Sequence, residues 1–217
     1  MCSHTNYSED YWEKCWKSED TEQLKKYLAN FYKRNNSTLE LFKANGISHV
    51  CDVACGFGAY SLLFASNGFR VEGFDISPTS VEITKAGLSK YNIDTSLYKV
   101  ADILNTGYAD ETFEGLIVHA VLDHLTVADA RKALDELHRI TKRDGLIFIS
   151  FDTIEEADLE IPHEILEDGS LRYTEGERAS MIFHPYTEAE IKTLLSDRNI
   201  EKLIIRDGVE SIVILRK

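Results

Sequence analysis

The chain has 217 residues, of which 43% are hydrophobic and 28% charged, and its net charge is −13. This length suits one domain that buries roughly 70% of its unfolded surface, and the low glycine and proline content excludes collagen-like or proline-rich disordered chains. The acidic balance argues against nucleic acid or an anionic membrane surface as a partner. No apolar run reaches the ~20 residues of a membrane span, and the absence of a signal peptide or disulfide framework predicts a cytoplasmic protein.

The N-terminal part is predicted to be helical. Apolar residues recur at helical spacing from Thr21, and a shorter helix is predicted after Ser37. We therefore expect a helical cap over residues 1–45. Trp12 and Trp16 precede these helices, and they either close over a ligand site or merely fix the tail.

From His49 onwards the pattern alternates between strands and helices. Strands are predicted over residues 49–53, 70–74, 97–100, 116–119 and 146–151. Because these strands are apolar along their length, they indicate a parallel sheet that is covered on both faces. Ser77 is predicted to cap a helix that runs to about Lys90, and a capping box at Thr126 opens a helix that runs to about Lys142. A capping box at Thr187 opens a last helix, and two short strands around Asp207-Gly208 predict an antiparallel hairpin at the end of the chain.

The stretch that carries chemistry is Asp52-Val-Ala-Cys-Gly-Phe-Gly58, where the first strand turns into the first helix. Glycines there let the backbone approach a ligand closely, and doubly wound sheets bind ligands at this end of their strands. Asp75 ends the second strand and can accept both hydroxyls of a ribose, while Asp102 ends the third. The two glycines alone are weak evidence, but the ordered set of loop and two acids is much stronger.

This ordered set resembles the class I S-adenosylmethionine-dependent methyltransferases, over about residues 48–151 and 187–217. Residues 114–125 are similar to the family's fourth-strand motif, although Gly115 stands where family members usually carry Asp. The resemblance implies a single α/β domain with a doubly wound, mostly parallel seven-stranded sheet and helices on both faces. The implied strand order is 3-2-1-4-5-7-6, with strand seven antiparallel.

The resemblance also implies S-adenosyl-L-methionine as the cofactor and a small molecule as the methyl acceptor. The implied cofactor-binding residues follow the first four strands: Asp52, Ala54, Gly56, Gly58, Asp75, Ile76, Asp102, Ile103, His119 and Ala120. Among them, Asp75 would bind the ribose and Asp102 the adenine amino group. His119 would border the sulfonium, or would equally be a hydrogen-bonded residue at the end of a strand.

Three further residues are candidates for the acceptor side. His124 follows the fourth strand and His184 precedes the last helix, and either is a candidate catalytic base for an oxygen acceptor. Tyr186 is a candidate substrate contact, and all three have structural alternatives. We predict no metal site, because Cys51 and Cys55 have no second pair with which to hold zinc.

An acidic segment separates the fifth strand from the last helix. Residues 151–180 contain ten acids and two bases, and Asp168-Gly169 within them predicts a small hairpin. We expect residues 152–186 to be a substrate-side insertion or lid. Its negative charge either belongs to a solvated flap or creates a field that favours a cationic acceptor.

Two other functions compete with methyl transfer. One is a non-catalytic module that binds an S-adenosyl ligand and acts through a partner. The other is a nicotinamide-dependent dehydrogenase, whose fingerprint requires a third glycine where this chain has Ser61.

Overall fold

The computed structural model describes residues 4–18, 31, 35–206 and 208–217. The helices in these ranges are α1 (His4–Ser18), α2 (residues 35–44), α3 (Ala59–Ala65), α4 (Pro78–Ser89), α5 (Val127–Ile140), α6 (Glu156–Glu160) and α7 (Glu188–Leu194). The helix predicted from Thr21 lies outside the described residues except for Phe31, which is buried. None of the helices in the described ranges combines the length and the apolar character needed to cross a membrane.

The strands form one large and one small sheet. They are β1 (His49–Val53), β2 (Arg70–Asp75), β3 (Tyr98–Val100), β4 (Phe113–His119), β5 (Thr141–Asp152), β6 (His163–Ile165), β7 (Leu171–Tyr173), β8 (Ile182–Phe183), β9 (Asn199–Arg206) and β10 (Glu210–Arg216). The large sheet has the order β3-β2-β1-β4-β5-β10-β9. Its first five strands run parallel, and β10 is antiparallel to both of its neighbours. The predicted fold class is thereby confirmed.

Apolar side chains fill both faces of this sheet. Leu116 and Ile117 of β4 belong to opposite hydrophobic clusters, because successive side chains of a strand point to opposite faces. On one face Phe42 of α2 packs edge-on against Phe64 of α3, with ring centroids 5.3 Å apart. On the other face Leu137 of α5 is fully buried. This double cover explains why the central strands read as continuous apolar runs.

The predicted starts of three helices agree with the structure. The hydroxyls of Ser77, Thr126 and Thr187 each accept a hydrogen bond from the main-chain N–H three residues further on. Such caps satisfy N–H groups that have no partner within the helix. The helices α4, α5 and α7 therefore begin where the sequence places them.

The end of α5 differs from the prediction. The sequence extends this helix to about Lys142, whereas the helix ends at Ile140 and β5 begins at the next residue. Thr141 has an extended backbone, and its hydroxyl donates to the carbonyl of Leu137. A β-branched residue suits a strand, and this side-chain bond satisfies one of the last carbonyls of the helix.

Residues 152–186 form a small three-stranded sheet, with β6 and β7 antiparallel as predicted. Its inner face contributes Tyr173, Met181 and Phe183 to a third hydrophobic cluster. Tyr11 of α1 belongs to the same cluster. The insertion and the N-terminal helix therefore form one outer layer above the carboxyl ends of the parallel strands.

We predict that Gly115 is required by packing. A Cβ atom at this position would lie 2.5 Å from Cε1 of Phe42, which is fully buried. Gly115→Ala should therefore lower the free energy of unfolding by about 1–3 kcal/mol in urea denaturation. Gly87→Ala is the matched control, because Gly87 lies within α4 and no described atom is within 4 Å of its Cβ position.

Gly87→Ala should raise the free energy of unfolding by about 0.5–1 kcal/mol, since alanine is the better helix former. Equal stability of the two variants would contradict this account of Gly115.

Candidate functional site

A cavity of about 390 Å³ opens at the carboxyl ends of β1, β2 and β4. This size lies within the range of about 300–1,000 Å³ that small-molecule sites occupy. Most of the predicted cofactor-binding residues line the cavity: Asp52, Ala54, Gly56, Asp75, Ile76, Asp102, Ile103, His119 and Ala120. The structure thus brings together residues from the ends of four strands, while their contact with a cofactor stays a prediction.

Gly58 is the exception among the predicted cofactor residues, because it is not part of the described cavity lining. A Cβ atom at Gly58 would lie 2.8 Å from Cγ2 of the buried Thr84. Its φ of 80° is also unfavourable for other residues. We infer that Gly58 lets α4 pack closely against the loop.

Gly56 faces the cavity and is fixed on both sides. Its N–H donates to Oδ2 of Asp75 at 2.9 Å, and its carbonyl accepts from the hydroxyls of Ser80 and Thr84. Its φ is 54°, and a Cβ atom there would lie 3.0 Å from the Trp16 indole. A side chain at this position would therefore both strain the backbone and fill the cradle.

Asp75 is well placed for the predicted ribose contact. The carboxylate is buried, with Oδ2 accepting from Gly56 N and Oδ1 from Ser77 N, both at 2.9 Å. Burial raises the pKa of Asp75, and these main-chain donors oppose that rise. An ionised carboxylate has about four acceptor sites, so each oxygen keeps capacity for a ligand hydroxyl. This arrangement fits the ribose of the predicted cofactor.

Asp102 and Asp52 have different surroundings. Oδ1 of Asp102 accepts from Leu104 N at 2.9 Å, and its second oxygen makes no hydrogen bond within the described part of the chain. That oxygen fits an amino group such as that of adenine. Asp52 is buried and accepts two hydrogen bonds from Ser61, and burial raises its pKa to about 7. Asp52 therefore holds the first turn of α3 beneath the cavity.

His119 is a hydrogen-bonded residue at the end of β4, and it also lines the cavity. Its Nδ1 is hydrogen-bonded to the hydroxyl of Ser150, which also accepts from Ala120 N at 3.0 Å. The Ser150 hydroxyl thereby holds the His119 ring and the main chain of Ala120 together. Burial lowers the pKa of His119 to about 4. A neutral His119 adds no positive charge beside the predicted sulfonium.

The N-terminal helix closes the cavity with aromatic side chains. Trp12 and Trp16 both line it, which supports a lid rather than a mere anchor for the tail. Glu13, between them, accepts hydrogen bonds from the Ser77 hydroxyl at 2.6 Å and the Thr79 hydroxyl at 2.7 Å. These bonds lower the pKa of Glu13 to about 2, the Ser77 hydroxyl contributing most. The helix is therefore tied to the N-terminus of α4.

Acidic groups and a histidine occupy the opposite end of the cavity, where β4 and β5 end. His124 and Asp152 line it, and Trp12 stands edge-on to the His124 ring at 4.9 Å. Asp123 is fully buried beside them, and burial raises its pKa to about 7. Burial lowers the pKa of His124, so the imidazole is neutral near pH 7. The described cavity lining includes no Lys or Arg.

The other two acceptor-side candidates lie elsewhere. His184 is buried with Nδ1 at 3.1 Å from the Ser170 hydroxyl, and its Nε2 faces Glu190 at 3.7 Å. Tyr186 packs on His184 and Phe151. Neither belongs to the described cavity lining. The structure therefore gives His184 and Tyr186 a role in holding the insertion against α7, and it does not support catalysis or substrate contact by them.

Sequence reasoning missed several residues of the site. Glu13 carried no signal, because an acid in a polar N-terminal helix is ordinarily solvated. Ser150 lies within an apolar strand and could have been noticed as a buried hydroxyl there. The sequence places Asp152 in the acidic segment, whereas the structure places it at the end of β5 beside the cavity.

Residues 51–149 match a family model described as a methyltransferase domain. A Bacillus cereus protein named as an uncharacterized RNA methyltransferase is 28% identical over 168 residues, which cover 74% of this chain and 34% of that protein. The chain spans less than half the length of the curated relatives it matches.

Solved structures share the fold. A Pyrococcus horikoshii protein superposes with a TM-score of 0.70 at 22% identity, covering 85% of this chain and 90% of that one. A Burkholderia thailandensis 1,6-didemethyltoxoflavin-N1-methyltransferase with bound S-adenosylhomocysteine gives 0.64 at 18% identity, covering 86% and 78%. The family-model match confirms the methyltransferase resemblance that the sequence shows. A methyltransferase domain does not support a nicotinamide-dependent dehydrogenase as the alternative function.

We predict that Asp75→Ala weakens S-adenosylmethionine binding, because the ribose loses its charged acceptor. The expected cost is about 1–3 kcal/mol, or a roughly five- to 150-fold rise in Kd, measured by calorimetry. Asp197→Ala is the control, since Asp197 is an exposed acid outside the described cavity lining. A folded Asp75→Ala protein with unchanged affinity would contradict the assignment.

A second prediction concerns pH and the N-terminal helix. The pKa of Glu13 is lowered from its usual 4.5 to about 2, so the ionised group stabilises the folded chain above about pH 4.5. This contribution is lost as the pH falls towards about 2. Glu13→Gln should therefore reduce stability at pH 7, and its difference from wild type should shrink through that window. Both tryptophans of the chain lie in α1, so their fluorescence during urea unfolding is the measurement.

Glu9→Gln provides the control for this pH prediction, because Glu9 is exposed on the same helix. It should match wild type at every pH. A difference between Glu13→Gln and wild type that stays constant with pH would show that the Glu13 charge is not responsible.

Proposed function

We propose that this chain, a member of the class I S-adenosylmethionine-dependent methyltransferase family, transfers a methyl group from S-adenosylmethionine to a small-molecule acceptor. The observation that carries the proposal is the single cavity in which the cofactor loop, Asp75 and the acceptor-side groups meet. The cofactor end has the satisfied, rigid polar groups that a preformed binding site needs. The other end leaves room beside Asp152 and His124 for an acceptor.

Bound S-adenosylmethionine supplies a methyl group that its sulfonium makes electrophilic. The work left to the protein is to bind, to orient and to exclude water. Gly56 and Asp75 would fix the methionyl and ribose parts, with Asp102 at the adenine. Alignment of an acceptor with the methyl–sulfur bond can lower the barrier by on the order of 7 kcal/mol or more.

The outer layer made by α1 and the insertion is suited to exclude water. Trp12 and Trp16 reach the cavity from α1, and Ile182 reaches it from the insertion. Trp12 packs against a hydrophobic cluster that contains Tyr11 of α1 and Phe183 of the insertion. We propose that these elements cover the acceptor during transfer, as closing lids do in other enzymes.

The charge of the cavity supports a neutral or cationic acceptor. Asp152 has no ion-pair partner among the described residues, and no described Lys or Arg lines the cavity. An anionic acceptor would therefore find carboxylates and no counter-charge. An oxygen acceptor also needs a proton acceptor, and His124 is the predicted catalytic residue that lines the cavity. We also propose that the protein acts in the cytoplasm.

The test uses S-adenosylmethionine with a labelled methyl group and an extract separated into low-mass, RNA and protein fractions. We expect label to enter low-mass compounds that are neutral or retained on a cation exchanger. The Asp75→Ala protein should transfer far less label at limiting cofactor. Label in the RNA or protein fraction would contradict a small-molecule acceptor.

The same experiment separates an enzyme from a non-catalytic module. A module that acts through a partner would bind S-adenosylhomocysteine in calorimetry. It would not convert S-adenosylmethionine to S-adenosylhomocysteine in the presence of any of the three fractions. Release that depends on the low-mass fraction supports the enzyme.

A further inference from the structure

We propose that Asp123, His124 and Asp152 form a binding site for one divalent transition-metal ion at the acceptor end of the cavity. One ligand atom from each residue lies within 4.8 Å of the other two. Asp123 and His124 lie in the turn that follows β4, and Asp152 ends β5. The residues meet because these parallel strands are neighbours. Asp152 is far from the other two in the sequence, so the sequence alone does not reveal the cluster.

The turn that carries two of the three groups is held from both sides. Oδ2 of Asp123 accepts from the main-chain N–H of Asp152 at 2.9 Å. The main-chain carbonyl of Asp123 accepts from His184 N at 2.7 Å. The Asp123 carboxylate is thereby fixed to the end of β5, as a preorganised ligand would be.

An unsatisfied atom independently points to a missing cation. Oδ1 of Asp123 is buried and has no hydrogen-bond partner among the described residues. Neither Asp123 nor Asp152 forms an ion pair within the described ranges, and the nearby Arg178 is paired with Asp158 at 2.6 Å. A buried carboxylate oxygen without a partner is costly, and a cation bound at the cluster would remove that cost.

The spacing of the three groups suits an ion better than direct contact. Their side chains form no hydrogen bond or ion pair with one another in this part of the chain. Ligands bonded to a metal at about 2.0–2.2 Å are separated by up to about 4.4 Å. Groups that all lie within 4.8 Å of one another therefore need only a small inward movement to share one ion.

The hydrogen bond of His124 leaves a ring nitrogen for coordination. Nδ1 lies 3.3 Å from the main-chain carbonyl of Ile182. A carbonyl only accepts, so Nδ1 carries the proton and the lone pair remains on Nε2. Backbone carbonyls orient metal-binding histidines in this way.

The donor set indicates which ion would bind. The imidazole favours Zn²⁺ or Fe²⁺ over Mg²⁺ and Ca²⁺, which prefer all-oxygen sites, and the two carboxylates also suit Mn²⁺. Two carboxylates balance the double charge, and three protein ligands leave a position open towards the cavity, which His124 and Asp152 line. An acceptor hydroxyl at that position would have a lower pKa, so its proton would pass more readily to water before the oxygen takes the methyl group.

The effect of the ion on an acceptor hydroxyl rests on the proposed function, whereas binding of the ion does not. The ion would also replace His124 as the aid to deprotonation, because a coordinated lone pair cannot accept a proton. It would neutralise the two carboxylates and so reduce any preference for a cationic acceptor.

The test begins with full-length protein stripped of metal by EDTA and dialysed. Mn²⁺ is titrated while its free fraction is followed by electron paramagnetic resonance. We expect one site per chain, and a rise in Kd of at least about tenfold for His124→Gln and for Asp152→Asn. Glu160→Gln, an exposed acid of the insertion, should bind Mn²⁺ as wild type does.

Several results would overturn the proposal. The site is wrong if wild type binds no Mn²⁺ at millimolar concentration, or if the two variants bind it as tightly as wild type. His124 and Asp152 both line the cavity, so substitutions there should leave the fold intact. Asp123→Asn would change a fully buried side chain and is therefore not used.

The catalytic role has its own measurements. Stripped protein should keep its calorimetric affinity for S-adenosylhomocysteine, lose methyl transfer to a hydroxyl acceptor, and regain it with Mn²⁺ or Zn²⁺. Full turnover in EDTA would overturn the role. Absence of S-adenosylhomocysteine binding, with Mn²⁺ binding intact, would instead count against the proposed function and leave the metal site standing.

Discussion

The carboxylate of Asp75 is the constraint on which the cofactor side of the site depends. It binds the N–H groups of Gly56 and Ser77, and so joins the loop after β1 to the start of α4. The Ser77 hydroxyl in turn donates to Glu13 and accepts from Ser80 N. One buried acid thereby connects a strand end, a helix cap and the N-terminal helix. The loop that would hold a cofactor is fixed by these bonds before any ligand arrives.

This arrangement carries a conformational cost that the network offsets. Ala54 and Ala120 both have φ near 50° at the ends of β1 and β4, a conformation that costs a non-glycine residue on the order of 1–3 kcal/mol. Small side chains at these positions keep the cavity open between the two strands. The hydroxyl of Ser150 accepts from Ala120 N, so the strained residue keeps its hydrogen bond. The strain is therefore held by the polar groups that line the site.

The sequence predicts the sheet well, and it predicts which residues meet at the strand ends, because both depend on local patterns. Strand ends, caps such as Ser77 and acids such as Asp75 follow directly from apolar runs and turn residues. His184 shows the limit of this reasoning, since its position before a helix gave no indication that it would be enclosed by the insertion. The contribution of α1 was equally hidden, because Glu13 reaches the site through a contact between distant parts of the chain. Residues that meet only through tertiary packing leave no periodic signal.

The buried carboxylates at the two ends of the cavity, Asp75 and Asp123, differ in how completely the protein satisfies their oxygens. At the cofactor end, each oxygen of Asp75 has a main-chain donor, and Ser150 serves both His119 and Ala120. At the acceptor end, a buried oxygen of Asp123 has no partner among the described residues. Protein interiors leave few such atoms unpaired, and a bound ion is one way in which those that remain are satisfied. The rigid end suits a cofactor shared by a whole family, and the incomplete end is where the acceptor of the proposed reaction would be selected.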